Sequence, residues 1–165
     1  QEICFGPDQD TASFVRQSRP PMDTSGDIVT TDGTVVGRHS GLEQFTVGQR
    51  KGLKVAFGER RYVVRLEPGS RRVVVGTLDD LARRELIAAN ANWLVDLPQE
   101  PFACRVKIRY RSAAIAATVE PLGAEEVGML SRFRVLFDEP CRGVAPGQAA
   151  VCYDGDRVLG GGWIE

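Results

Sequence analysis

The chain has 165 residues and a mass of 18.0 kDa, with 42% hydrophobic and 26% charged residues. Those proportions exclude a disordered tail or a coiled coil, and the length suits one ordinary domain or two small ones. No apolar run reaches the roughly 18 residues a membrane helix needs, and no basic-then-apolar leader opens the sequence, so a soluble, cytoplasmic protein without a membrane partner is expected. The 21 basic and 22 acidic residues leave a net charge of −1, so any hold on nucleic acid has to come from a local patch. The chain begins with Gln1 rather than Met, as a processed protein or a piece of a longer one does.

In chain order, residues 11–18 predict one or two helical turns capped by Thr11 or Ser13 and stopped by Arg19-Pro20-Pro21. From there the signals are mostly strand and turn. Asp27-Ile28-Val29-Thr30 and Thr34-Val35-Val36 flank an Asp32-Gly33 hairpin turn. A second hairpin is expected from residues 61–66 and 72–75. Between them Pro68-Gly69 suits a type II turn, in which glycine takes the positive φ. Residues 79–86 read as a helix, since two aspartates open the segment and two arginines follow, as the helix dipole prefers.

We place a domain boundary just after that segment. Strands resume around Trp93, at 103–111, within 127–137, and in a closing hairpin of 149–153 and 158–164. Many short strands between turn signals indicate barrels or sandwiches, so the fold is expected to be all-β in two small domains.

Cys104, Val106, Ile108 and Tyr110 alternate with Arg105, Lys107, Arg109 and Arg111. Four cations on one strand face suit a phosphate backbone, and they equally suit a solvated outer face or a charge-protected edge. The glycine-flanked loop at 47–53 carries Arg50 and Lys51 and reads either as a phosphate-holding loop or as a structural turn. It lacks the order of a nucleotide-binding P-loop. Gly160-Gly161-Gly162 is followed by too few residues for a dinucleotide-binding helix, and it suits close backbone approach in a closing strand.

The cysteines Cys4, Cys104, Cys141 and Cys152 form no C-x-x-C pair, and the single histidine, His39, is distant from them in sequence. No metal site is expected, and reduced thiols are. Cys104 and Cys152 fall on apolar strand faces and read as core thiols. Cys141, after Glu139-Pro140, reads as an incidental turn residue, and so does His39 between Gly37 and Gly41. Cys4 stands in a loop-forming stretch from which a thiol can reach a substrate, but no cation or histidine nearby in sequence lowers its pKa. Composition alone therefore reads it more readily as an unreactive thiol than as a reactive one.

Six stretches, taken in order, carry a specific resemblance. They are Gln1-Glu2-Ile3-Cys4-Phe5, Gly37-x-His39-x-Gly41, Phe45-Thr46-Val47-Gly48-Gln49-Arg50-Lys51-Gly52-Leu53, Arg109-Tyr110-Arg111, Pro146-Gly147-Gln148-Ala149 and Leu159-Gly160-Gly161-Gly162-Trp163-Ile164. Together they resemble the tRNA-specific 2-thiouridylases, the MnmA/TrmU family. Gly6 and Phe45 depart from that pattern, at positions where a bulkier apolar residue and a tyrosine are usual, and neither departure removes a reacting group.

The resemblance implies an enzyme that uses ATP to adenylate the C2 oxygen of the wobble uridine in tRNA. Sulfur then arrives as a cysteine persulfide from a sulfur-donor protein, and a second cysteine helps release it. By that likeness Cys4 is the persulfide carrier, and Arg109, Tyr110 and Gln148 are tRNA contacts near the anticodon region. Arg50, Lys51, Arg105, Lys107 and Arg111 are further candidate phosphate contacts.

The family's Ser-Gly-Gly-x-Asp-Ser ATP loop is not found in these 165 residues. The expected organisation is therefore the tail of a catalytic domain at 1–20, a central β domain at 21–86 and a C-terminal β-barrel at 87–165, with one or two short helices. A fragment of that kind is expected to be inactive alone. The alternative is a stand-alone RNA-binding β-barrel module without chemistry.

Overall fold

The computed structural model describes residues 23–53, 55, 58–96, 100–110, 112–122 and 132–165. The expected helical turns at 11–18 lie outside the described residues. Two compact units divide between Asp80 and Leu81, so the boundary expected after Leu86 falls within a strand of the second unit.

The first unit is a four-stranded sheet of β1 (Gly26–Thr30), β2 (Val35–His39), β3 (Tyr62–Glu67) and β4 (Arg72–Gly76), in the order β2-β1-β4-β3. β1 and β4 run parallel and the other neighbours antiparallel. Val73, Val74 and Val75 are all buried, the continuous apolar run of a strand covered on both faces. Ile28, Val63, Val73 and Val75 pack with Phe45 and Leu53 as the core.

The Asp32-Gly33 turn forms as expected. Gly33 sits at φ 89°, and the Asp32 carboxylate accepts from the Thr34 N–H at 3.0 Å and from the Thr30 hydroxyl. The β3 to β4 turn differs from expectation, because its left-handed residue is Arg71 (φ 54°) and not Gly69. Arg71 is pinned there by tertiary contacts: its guanidinium reaches the Asp23 carboxylate at 3.1 Å, and its carbonyl accepts from the His39 ring at 3.1 Å.

The second unit is a closed antiparallel barrel. Its strands are β5 (Ala82–Trp93), β6 (Phe102–Lys107), β7 (Ile115–Leu122), β8 (Arg132–Arg142), β9 (Ala149–Asp154) and β10 (Arg157–Ile164). They close in the order β10-β5-β8-β7-β6-β9. Phe133, fully buried, meets Trp93 edge-on at 5.1 Å amid Leu86, Ala88, Val106, Val119 and Val135. Close strand approach explains the three glycines. A β-carbon on Gly160 would stand 2.5 Å from the Trp93 ring, and one on Gly162 would stand 2.6 Å from the Ala89 carbonyl.

The helix expected at 79–86 is a correction. Only Asp79–Leu81 makes a 3-10 turn, and β5 begins at Ala82. The Asp80 carboxylate caps that turn by accepting from the Thr77 N–H at 2.7 Å and the Thr77 hydroxyl at 2.9 Å. Beyond it, pairing with β8 buries Leu86 and Ala88 on alternate positions, and this long-range ladder outweighs the local charge order. A second 3-10 turn, which is not one of the helices expected, covers Leu42–Gln44. Among the described residues no helix is long and apolar enough to cross a membrane.

Candidate nucleic-acid interface

β6 is shorter than expected, and this changes the basic stripe. Its ladder ends at Lys107, and Arg109 and Tyr110 enter a turn closed by the Ser112 N–H and hydroxyl on the Arg109 carbonyl, at 3.2 and 2.9 Å. Arg105 and Lys107 do stand on the outer face, because Val106 is buried inward between them. Tyr110 is 90% exposed and does not join the inward row of Val106 and Ile108, because its backbone has left the strand. The Lys107 ammonium lies 5.8 Å from the Tyr110 ring centroid, within cation–π range. One Arg105 nitrogen donates to the Ala114 carbonyl at 2.6 Å, which holds that side chain across the base of the turn.

Gln148 belongs to the same end of the barrel. Lys107 pairs with Val151, so the end of β6 and the start of β9 are neighbours, and Gln148 immediately precedes β9. Its carbonyl accepts from Ile164 at 2.8 Å, while the Gly147 N–H donates to the Ile164 carbonyl at 2.8 Å. These bonds tie the turn to the last strand and fix where the half-buried Gln148 stands. Arg109 reaches the same loop, with its guanidinium against Gly143, a buried residue at φ 80°. Arg109, Tyr110, Gln148 and Lys107 therefore gather at one barrel end, joined by Arg105 one residue pair back.

Arg50 and Lys51 are exposed at the tip of the 47–53 loop in the first unit. That loop is stitched to β3 by Gly48 N–H to Val63 carbonyl (2.8 Å) and Val63 N–H to Gln49 carbonyl (2.9 Å). The Gln49 side chain accepts from the Thr46 N–H and donates to the Lys51 carbonyl, both at 2.9 Å. Phe45 and Leu53 anchor its two ends in the core. The amides of Gly48 and Gln49, the latter donating to the Thr46 carbonyl, are used within the protein and are not free to hold a phosphate. Cys4 and Arg111 lie outside the described residues.

The remaining thiols are inside the barrel unit. Cys152 donates to the Cys104 sulfur, and that bond together with burial pushes the Cys152 thiol far up. Accepting it, with help from the Tyr153 N–H and against partial burial, holds the Cys104 thiol below its usual value. Cys141 is a correction: it is buried in β8, not in a turn, and desolvation raises its pKa against the opposing charge of Arg109. Among the described residues no group of three His, Cys, Asp or Glu side chains gathers to hold a metal.

His39 was also underestimated by its glycine-flanked setting. It ends β2, is 9% exposed and lines a cavity of about 800 Å³ with Arg71, Asp23 and Ser25. The Thr-Val-Val-Gly-Arg-His run alternates only weakly, so a buried ring at its end had no clear signal in the sequence.

Comparison with known proteins agrees with this two-unit division. Residues 12–77 match the family described as tRNA methyl transferase PRC-barrel domain, and residues 83–164 match the aminomethyltransferase beta-barrel domain. The chain is 47% identical to the tRNA-specific 2-thiouridylase MnmA of Rhodopirellula baltica over 99% of its own length and 41% of that relative. It is 48% identical to the proteins of the same name from Koribacter versatilis, over 99% of the chain and 44% of the relative, and Solibacter usitatus, over 100% and 45%. The chain belongs to the tRNA-specific 2-thiouridylase family. It spans a little under half the length of these curated relatives. The family's barrel module is thus the one that carries Arg109, Tyr110 and Gln148, and its PRC-barrel module carries Arg50 and Lys51.

Proposed function

We propose that this chain is the C-terminal portion of a cytoplasmic tRNA 2-thiouridylase, in which Cys4 carries the transferable sulfur and the barrel end holds tRNA. The observation that carries this reading is identity of 47–48% to proteins of that name across 99–100% of the chain. Activation of the wobble uridine by ATP belongs, on this reading, to a domain outside these 165 residues, so this chain alone neither consumes ATP nor thiolates tRNA.

A persulfide on Cys4 is a stronger acid than a thiol and is nucleophilic at neutral pH. Its outer sulfur attacks C2 of the activated uridine and AMP leaves. A second cysteine outside this chain then forms a disulfide with Cys4, which breaks the persulfide S–S bond and leaves its electron pair on the thiouridine sulfur. A thiol reductant reopens that disulfide before Cys4 is reloaded. Splitting the substitution into activation and attack is the logic of covalent catalysis. The described part of the chain contributes binding. Arg109, Lys107 and Arg105 supply charge for phosphates, Tyr110 presents a ring for stacking, and Gln148 offers an amide for hydrogen bonds. Arg50, Lys51 and Arg111 extend the phosphate contacts, and a sulfur-donor protein reloads Cys4.

The test is Cys4→Ser in the full-length enzyme. Formation of 2-thiouridine should vanish while tRNA affinity stays within about twofold. Retained thiolation would overturn the role of Cys4. It would then favour the second reading, a purely RNA-binding barrel, which the grouping of cations and Tyr110 also supports.

A further inference from the structure

On the outer wall of the barrel, Trp163 is 55% exposed, because the residues that bracket it, Gly162 and Ile164, both turn inward. Its registered neighbours are Ala149 on β9 and Ala89 on β5, too small to cover an indole. The next row toward the barrel's other end runs Gly161, Val151, Lys107. The row beyond it brings Tyr153 beside Arg105. None of the positions named in these rows carries a carboxylate, and Glu165, two residues along the same face of the chain, is ion-paired with Arg132. An uncovered aromatic face therefore shares its surface with one lysine and one arginine on its other side.

We infer that Trp163 is a stacking platform for an unpaired base of the bound RNA, set on the outer face of β10 beside the Lys107 and Arg105 charges. The inference rests on the tRNA-binding reading and extends it to a residue outside the Arg109, Tyr110 and Gln148 group. Lys107 lies two strand spacings away from Trp163, about 10 Å, and one residue pair along, about 7 Å. One strand can therefore place a base on the indole and its phosphates along β6. Base–aromatic stacking tolerates any base, and flanking cations track the backbone. The Lys107 and Arg105 charges on one side of the indole, with Glu165 held by Arg132 on the other, favour a polyanion over a protein partner, whose interface would set aromatic and aliphatic groups against this face.

The test compares wild type, Trp163→Ala and Trp163→Phe for binding an unmodified tRNA anticodon stem-loop, read by the mobility of the labelled RNA and by tryptophan fluorescence. Trp163→Ala should weaken binding about 5- to 100-fold, and Trp163→Phe should recover most of the loss. RNA should quench wild-type emission, whereas Trp93, packed on Phe133, should leave Trp163→Phe unresponsive. Circular dichroism confirms that the exposed substitution keeps the fold. If wild type binds RNA and Trp163→Ala binds equally well, the inference is overturned while the tRNA reading stands, and a protein becomes the occupant of this face. If wild type binds no RNA even at low salt, the tRNA reading itself fails and takes the inference with it.

Discussion

The Arg109 guanidinium lies so close over Gly143 that a β-carbon there would stand 2.9 Å from its Cζ. Gly143 is also left-handed at φ 80°, so it serves both as a pivot for the β8 to β9 connection and as the floor beneath a candidate RNA contact.

Gly143→Ala should therefore act twice. The left-handed backbone costs a β-carbon about 1–2 kcal/mol, and the methyl displaces the flexible end of Arg109. The unfolding free energy should fall by that amount, lowering the denaturation midpoint in proportion, and RNA binding should weaken in the direction of Arg109→Ala, with a shallower salt dependence. Unchanged stability and unchanged affinity together would contradict this packing.

Phe133 fills the barrel centre against Trp93. Phe133→Ala should cost about 3–5 kcal/mol, a large fraction of the stability of an ordinary domain. Urea denaturation followed by far-ultraviolet circular dichroism measures it. A loss below about 1 kcal/mol would mean the ring is not the core residue its burial indicates.

Asp32 should titrate well below a free aspartate. The Thr30 hydroxyl and then the Thr34 N–H stabilise its charged form and lower its pKa from 3.8 to about 2. A carboxyl depressed in the folded state binds fewer protons there than in the unfolded chain, so its contribution is present above about pH 4. That contribution is lost as the pH falls toward 2. Carbon-detected NMR titration of the side chain should give a midpoint near 2, and Asp32→Ala should speed amide exchange at Gly33 and Thr34. A midpoint at the free-aspartate value would refute the turn geometry.

The buried thiols predict an alkaline weakening of the barrel. Burial raises Cys141, and donation to Cys104 with burial raises Cys152, so the folded state keeps protons that the unfolded chain releases above about pH 8.5. Stability should fall as the pH rises past that value. The melting temperature should drop between pH 7.5 and pH 10, both about one unit or more from the free thiol value, and a Cys141→Ala, Cys152→Ala variant should show a smaller drop. Equal slopes in the two proteins would contradict the assignment.

Features governed by neighbouring residues were legible in the sequence. The Asp32-Gly33 turn and the β9 to β10 hairpin follow from local turn chemistry, and the inward row of Val106 and Ile108 follows from alternation. Features governed by distant pairing were not. β5 looked helical because its acid-then-arginine order imitates a helix, while its real partners on β8 lie some fifty residues away. The end of β6 at Lys107 was hidden because alternation continues through Tyr110 after the ladder has stopped. Arg71 took the turn's positive φ for the sake of Asp23 and His39, which no local pattern reports. At the candidate site, the cations were visible as residues, but their gathering with Gln148 depends on the pairing of β6 with β9.

The most direct test of sulfur transfer is to load the protein with a cysteine desulfurase and cysteine, trap persulfides by alkylation, and map the added sulfur by peptide mass spectrometry. The account predicts one extra sulfur on Cys4, with none on the buried Cys141 and Cys152 or the hydrogen-bonded Cys104. Sulfur found on one of those three thiols, or on no cysteine at all, would contradict it.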